Sequence, residues 1–159
     1  MYHLEVEESF AAAHQLREYQ GACENLHGHN WRVRLSVCGN ELDRLGMLVD
    51  FGELKRLLRD ALARFDHRFL NDVAPFDRTN PTSENLARHL AEIITPRLPP
   101  NVRVEEVAVW ESDRAAAHYR PETKPLSEPA RRPKRGKSRG IQGAGGGDIG
   151  LKSRRRRQR

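Results

Sequence analysis

Cysteines, long apolar runs and aromatic residues are all scarce in this chain of 159 residues. Two cysteines are too few for the disulfide framework of a small secreted domain, so we expect reduced thiols. No apolar run exceeds four residues, which excludes a transmembrane helix. Residues 1–8 carry acids and no apolar segment, whereas a signal peptide needs basic charge followed by an apolar region. These absences predict a cytoplasmic protein.

Positive charge is confined to one end of the chain. Residues 121–159 hold 13 Lys and Arg against three acids, whereas residues 1–120 hold 15 against 19. Prolines from Pro121 to Pro133, a glycine-rich stretch and an arginine run leave few large apolar residues to bury there. Such a segment cannot offset its ordering entropy. We therefore predict a folded, acidic domain over 1–120 and a disordered basic Pro/Gly/Arg-rich tail over 121–159.

The acidic part of the chain shows both strand and helix periodicity. Asp50 and Thr82 stand where helix N-caps are expected, and Pro96 is placed to end the second helix. The pattern predicts strands, helices and a hairpin partner in this order: strands 2–7 and 31–37, helices 50–65 and 82–95, strands 102–109 and 114–120. This order indicates an α+β fold with a four-stranded antiparallel sheet and two helices on one face.

The predicted core is thin for 120 residues, and the sheet would keep open edges. Open edges present unpaired backbone groups to other chains, which is an aggregation risk. Several copies joined into a closed barrel would remove those edges. We therefore expect a homo-oligomer.

Histidines supply the densest chemical signal. His27 and His29 are two residues apart, so on an extended segment they point to the same side. His14 upstream could complete a three-histidine site with an open fourth position, which is the arrangement of catalytic zinc. The alternative is a pair of surface histidines on a strand, because so short a motif recurs by chance.

Four other residues have side chains suited to chemistry. Cys23 lies in a polar loop near the candidate metal site, where a lowered thiol pKa would provide a base. Asp66 beside His67 could orient and charge the imidazole, and Glu111 could accept two hydrogen bonds from an amidine-like edge. Each of these residues could instead be an ordinary polar residue without a catalytic role. Cys38 is predicted to be a small buried hydrophobe, and we assign no role to His3, His89 and His118.

Six short motifs follow one another between residues 2 and about 115: Phe10 with His14, Cys23-x-x-x-His27-Gly28-His29, Val49-Asp50-Phe51-x-x-Leu54, Asp66-His67-x-x-Leu70-Asn71, Asn80-Pro81-Thr82-Ser83-Glu84, and Glu111. Their order resembles the 6-pyruvoyl-tetrahydropterin synthase family. The three residues between Cys23 and His27 are typical of its carboxy-forming branch. Each motif is weak alone, but six in order are specific.

The resemblance implies a fold and a complete activity. The fold would be the T-fold, assembled as trimers into a barrel and often paired into hexamers. The reaction would convert 7,8-dihydroneopterin triphosphate into 6-carboxytetrahydropterin, acetaldehyde and triphosphate, in queuosine (7-deazapurine) biosynthesis. The family pattern places zinc on His14, His27 and His29 and makes Cys23 the base. Asp66 with His67 would be the relay, from this or a neighbouring subunit, and Glu111 would anchor the pterin.

Two other functions stay open from the sequence. Glu24 in Glu24-x-x-His27-Gly28-His29 also resembles a folate-pathway branch, in which a glutamate base forms 6-hydroxymethyl-dihydropterin. A different class is a non-enzymatic metal-binding or nucleic-acid-binding module whose basic arm contacts phosphates. Replacing Cys23 would abolish an enzyme's activity and spare a binding module.

Overall fold

The computed structural model describes residues 1–21 and 24–122. Its helices and strands are, in chain order, β1 (Tyr2–His14), β2 (His27–Gly39), α1 (Phe51–Leu62), β3 (Arg68–Phe69), α2 (Ser83–Ile94), β4 (Val102–Ser112) and β5 (Ala115–Tyr119). The strands form one sheet in the order β3-β1-β2-β4-β5. The predicted α+β class is confirmed. Residues 123–159, which include nearly all of the predicted tail, lie outside the described residues.

The two long N-terminal strands form an antiparallel pair over their full length. Tyr2 lies opposite Gly39 at one end, and His14 lies opposite His27 at the other. The sequence predicted only the first part of β1, because the alanines before His14 conceal the alternation of apolar and polar residues. The extension matters for function, since it carries His14 into register with His27.

The sheet has five strands where the sequence predicted four. The additional strand, β3, consists of Arg68 and Phe69 and pairs in parallel with Ala12 and Ala13 of β1. The other neighbouring strands pair antiparallel. A two-residue strand is too short to show alternation, so no periodicity could reveal it.

Both helices cover one face of the sheet, as predicted. The Asp50 side chain accepts a hydrogen bond from the Glu53 N–H at 3.0 Å, and Thr82 accepts one from the Asn85 N–H at 3.2 Å. These caps confirm the two predicted helix starts. Helix α1 ends at Leu62 rather than near residue 65, so Asp66 and His67 lie in the turn after it. Neither helix among the described residues is long and apolar enough to cross a membrane.

A single apolar core lies between the helices and the inner face of the sheet. Trp31 is fully buried, stacks with Phe10 at 6.0 Å between ring centroids, and donates its indole N–H to the Ala12 carbonyl oxygen at 3.2 Å. Alternate residues of β1, β2 and β4 supply the sheet side of this core. The three candidate ligand histidines continue the same alternation at one end of β1 and β2, so they point to the helix side of the sheet.

The outer face of the sheet is polar and contains a β-bulge in β4. Ser36 of β2 lies opposite Glu106, whereas the next residue, Val37, lies opposite Val104. Glu105 is therefore an additional residue, and both Glu105 and Glu106 face away from the core. Cys38 also lies on this outer face. It is buried as predicted, at 1% exposure, but it contacts a polar side chain and is not part of the apolar core.

Candidate functional site

Four side chains from three strands meet at one end of the core. The Nε2 atoms of His14 and His27 are 2.9 Å apart. One carboxylate oxygen of Glu111 lies 3.0 Å from His29 Nε2 and 3.9 Å from His14 Nε2. The ligand atoms of all four residues lie within 4.8 Å of one another. The structure therefore brings together His14, His27, His29 and Glu111, which we call the histidine cluster.

The hydrogen bonds around the cluster fix which ring nitrogens carry protons. His14 Nδ1 donates to the Pro81 carbonyl oxygen at 2.8 Å, and His27 Nδ1 donates to the Asn25 carbonyl oxygen at 2.7 Å. A carbonyl oxygen only accepts, so in each neutral ring the proton is on Nδ1 and the lone pair on Nε2. Two lone pairs 2.9 Å apart repel each other. A cation bound to both nitrogens would relieve that repulsion.

The environment of His29 also suits a metal ligand. His29 Nε2 is buried, and its nearest charged neighbour among the described residues is the Glu111 carboxylate at 3.0 Å. A buried ring nitrogen beside a carboxylate is a suitable position for a metal ligand. Burial lowers the pKa of both His14 and His29, which favours the neutral, metal-binding form of each ring. The cluster is therefore able to bind a metal ion.

The carboxylate of Glu111 has two neighbours with different properties. Its Oε1 atom faces His29 Nε2, whereas its Oε2 atom accepts a hydrogen bond from the Ser83 hydroxyl at 3.2 Å. Ser83 is the first residue of α2, so the start of this helix orients the carboxylate. The geometry permits a metal ligand or a substrate anchor at Glu111.

A network of polar side chains holds the carbonyl that orients His14. The Arg17 guanidinium donates to the carbonyl oxygens of Asn71, Phe76 and Thr79 at 3.1, 2.9 and 3.2 Å. The Asn80 side chain accepts from the Arg17 N–H at 2.8 Å and donates to the Arg17 carbonyl at 3.0 Å. Asn71 makes the same double contact with Gln15. These bonds fasten the loop that ends at Pro81 to the end of β1.

Replacing Arg17 with alanine is expected to weaken metal binding about tenfold, because partners that orient a ligating histidine typically change affinity by roughly 10- to 100-fold. Arg17→Lys should rescue little, since one ammonium cannot reproduce a planar fork that reaches three carbonyls. Isothermal titration of the metal-free protein with zinc measures the affinity, and circular dichroism controls for folding. Unchanged affinity in a folded Arg17→Ala protein would contradict the positioning role.

Asp66 and His67 form a pair along the outer edge of β1. Asp66 Oδ1 accepts the Ala11 N–H at 3.0 Å and lies 3.0 Å from His67 Nδ1. The hydrogen bond from Ala11, followed by that from His67, lowers the pKa of Asp66. His67 has a left-handed backbone with φ of 57°, a conformation that is costly for a non-glycine residue and recurs at functional sites. Within the described residues, no hydrogen bond or ion pair joins either side chain to the histidine cluster.

An open cavity of about 540 Å³ nevertheless has both His29 and His67 in its walls, together with Arg68 and Asn30. Ala11, Ala13 and Gly28 also line this cavity, and they alternate along their strands with the residues whose side chains point to the helix side. Glu24 is exposed, and its N–H donates to the Gly21 carbonyl oxygen at 3.0 Å. Cys23 lies outside the described residues. The roles predicted for Cys23, Glu24, Asp66 and His67 stay predictions.

Nothing in the sequence indicated the roles of Arg17, Asn71, Asn80 and Ser83. Asn71, Asn80 and Ser83 occur in the motifs that carry the family resemblance, but nothing in their spacing shows which backbone groups they contact. Arg17 belongs to none of those motifs. Their roles depend on contacts between the end of β1 and the loop before α2, which are far apart in the sequence.

Comparisons with known proteins place the chain in a family. The sequence profile of the 6-pyruvoyl tetrahydropterin synthase family, a family of enzymes, matches residues 3–122. The 6-carboxy-5,6,7,8-tetrahydropterin synthase of Synechocystis is 37% identical over 125 residues, covering 74% of this chain and 93% of that protein. Synthases of the same name in Rickettsia typhi and Bacillus subtilis also match.

Two further matches extend this result. The dihydroneopterin monophosphate aldolase of Pyrococcus furiosus is 34% identical over 105 residues, covering 66% of this chain and 85% of that protein. The solved structure of Caenorhabditis elegans 6-pyruvoyl tetrahydropterin synthase superposes with a TM-score of 0.68 and 29% identity, covering 76% of this chain and 96% of that one. The predicted T-fold is thereby confirmed, and this chain belongs to the 6-pyruvoyl tetrahydropterin synthase family.

Proposed function

We propose that this protein is a zinc-dependent 6-carboxy-5,6,7,8-tetrahydropterin synthase. It would convert 7,8-dihydroneopterin triphosphate into 6-carboxytetrahydropterin, acetaldehyde and triphosphate, for queuosine biosynthesis. The observation that carries this proposal is the convergence of three imidazole Nε2 positions beside Glu111. The names of several relatives support the choice of product.

The three histidines would hold zinc, the metal that suits imidazole ligands in a catalytic site with an open position. Zinc there would supply a Lewis acid for a substrate oxygen. The backbone carbonyls of Pro81 and Asn25 keep two of the rings in the tautomer that leaves Nε2 free. The chain thus contributes a ligand set that is oriented before any metal arrives.

Glu111 would anchor the pterin ring. Its carboxylate can accept two N–H bonds from an amidine-like edge. The Ser83 hydroxyl holds one of its oxygens and so restricts the orientation of the carboxylate. In this role Glu111 would fix the substrate next to the histidines.

Proton transfer would fall to Cys23, Asp66 and His67. A thiolate at Cys23 is suited to taking a proton from a carbon atom. The Asp66 carboxylate, whose pKa is lowered, would stay charged and orient the His67 ring, 3.0 Å away.

A homo-oligomer, a trimer or hexamer, fits this arrangement. In the part of the chain described here, β3 pairs with β1 only at Ala12 and Ala13, so most of the outer edge of β1 has no strand beside it. A neighbouring subunit could pair with that edge and bring a second Asp66 and His67 to the site. Size-exclusion chromatography with light scattering measures the assembly.

The second candidate is the hydroxymethyl-forming activity of the folate pathway. Glu24 and the similarity to an aldolase from Pyrococcus furiosus both favour it. A non-enzymatic metal-binding or nucleic-acid-binding module is disfavoured, because the match to an enzyme family spans residues 3–122 and the basic residues concentrate beyond them.

One assay tests the proposal. Purified protein loaded with zinc is incubated with 7,8-dihydroneopterin triphosphate, and the pterins are identified by mass spectrometry. We expect 6-carboxytetrahydropterin and acetaldehyde, and we expect a chelator to stop their formation. A product that is mainly 6-hydroxymethyl-dihydropterin would establish the second candidate instead, and no pterin turnover would contradict both.

A further inference from the structure

A second group of metal-ligating side chains lies far from the histidine cluster, on the outer face of the sheet. His3 of β1 lies opposite Cys38 of β2, and Cys38 lies opposite Arg103 of β4. The bulge in β4 turns Glu105 toward the same row. The imidazole nitrogen of His3, the sulfur of Cys38 and a carboxylate oxygen of Glu105 all lie within 4.8 Å of one another.

This second group is separate from the histidine cluster in both position and face. His3 and His14 are eleven residues apart on β1. At about 3.3 Å per residue, that separation corresponds to roughly 36 Å of extended strand. Because eleven is odd, the two histidines also point to opposite faces of the sheet. A metal bound at His3 would therefore not share ligands with the histidine cluster.

The donor set of the second group suits a zinc-like ion. Nitrogen, sulfur and oxygen are the three donor types that zinc accepts in proteins, and three protein ligands leave a fourth position for water. His3 Nδ1 and Glu105 Oε2 are already 2.6 Å apart. Their side chains are 49% and 39% exposed, whereas Cys38 is buried beneath them. An ion would meet His3 and Glu105 first from solvent, with the sulfur beneath them.

Arg103 provides the outer support that a metal-bound thiolate needs. Its Nε–H donates to Cys38 Sγ at 3.1 Å. A thiolate ligand is anionic, and hydrogen bonds from outer groups fix the orientation of metal ligands. The Arg103 contact therefore matches a bound thiolate.

Glu106, on the same face, has more polar partners than Glu105. Glu106 is nearly buried and accepts bonds from His118 at 2.9 Å and from Arg120 at 2.8 Å, with Arg34 at 3.5 Å. Burial alone would raise the pKa of Glu106, but these bonds lower it. Glu105 differs, because in the described residues His3 is its only ion-pair partner. His3 occupies one Glu105 oxygen, and no hydrogen bond among the described residues reaches the other, whereas both oxygens of Glu106 accept hydrogen bonds.

We propose that His3, Cys38 and Glu105 form a second binding site for a divalent transition-metal ion of the zinc class. The site would link β1, β2 and β4 on the outer face of the sheet. It is independent of the activity proposed above, since none of its residues belongs to the histidine cluster or to the proton-transfer residues.

Cobalt(II) spectroscopy tests this site, because a thiolate bound to cobalt gives a near-ultraviolet charge-transfer band. The chain has two cysteines, so the test uses a Cys23→Ser background in which Cys38 is the only possible thiolate. We expect the band in that protein at saturating cobalt. Adding Cys38→Ser, His3→Ala or Glu105→Gln should remove it or lower the cobalt affinity at least tenfold.

His118→Ala in the same background is the matched control, since it removes an imidazole–carboxylate pair from the same face without touching the sulfur. The band should persist in this control. A folded Cys23→Ser protein without the band would overturn the proposal, and so would a band that His3→Ala and Glu105→Gln both leave unchanged. Those two variants alter exposed side chains, so they keep the test valid if Cys38→Ser fails to fold.

Discussion

Replacing His29 with alanine is expected to remove nearly all zinc from the histidine cluster and to abolish pterin turnover. His29 supplies one of three imidazoles, and two ligands cannot hold the ion in the geometry of a catalytic zinc site. The loss of affinity should exceed the roughly 100-fold that outer-contact variants reach. Elemental analysis after dialysis measures the bound metal. The experiment uses a Cys38→Ser background, so that the second site proposed above does not contribute.

Two further variants serve as controls for the His29→Ala result. His118→Ala removes a histidine that contacts Glu106 instead, so its zinc content should equal that of the parent protein. Glu111→Gln should keep zinc and lose substrate binding if Glu111 anchors the pterin. Loss of zinc in Glu111→Gln would instead make Glu111 a fourth ligand, and full zinc content in His29→Ala would contradict the three-histidine assignment.

Replacing Cys23 with alanine is expected to abolish formation of 6-carboxytetrahydropterin, whereas Glu24→Ala should spare it. Forming the carboxy product requires removal of a proton from a side-chain carbon, and a thiolate suits that step. Loss of a positioned base typically costs about 100- to 10,000-fold in rate. Quantifying both pterin products by mass spectrometry for each variant measures the effect.

The pairing of Cys23 and Glu24 makes this experiment decisive between the two candidate products. The opposite outcome, in which Glu24→Ala abolishes the main product and Cys23→Ala does not, would assign the protein to the hydroxymethyl-forming branch. Equal zinc content in both variants controls for damage to the histidine cluster.

The amino-acid sequence by itself determined the main elements of the fold and singled out the histidines that the structure brings together. Alternation of apolar residues predicted four of the five strands, and the caps at Asp50 and Thr82 located both helix starts. The spacing of His27 and His29 placed two imidazoles on one side of a strand. These features are local, so periods of 2 and 3.6 residues and a dipeptide spacing were sufficient to find them.

Only the tertiary structure decided how those residues are held and what lies around them. The register of β1 on β2 set His14 beside His27, and the loop clamped by Arg17 brought the Pro81 carbonyl to the His14 ring. The bulge at Glu105 put two consecutive carboxylates on one face, contrary to simple alternation. Each of these contacts joins residues that are distant in sequence. Their geometry depends on strand register and backbone irregularity, which leave no periodic signal in the chain.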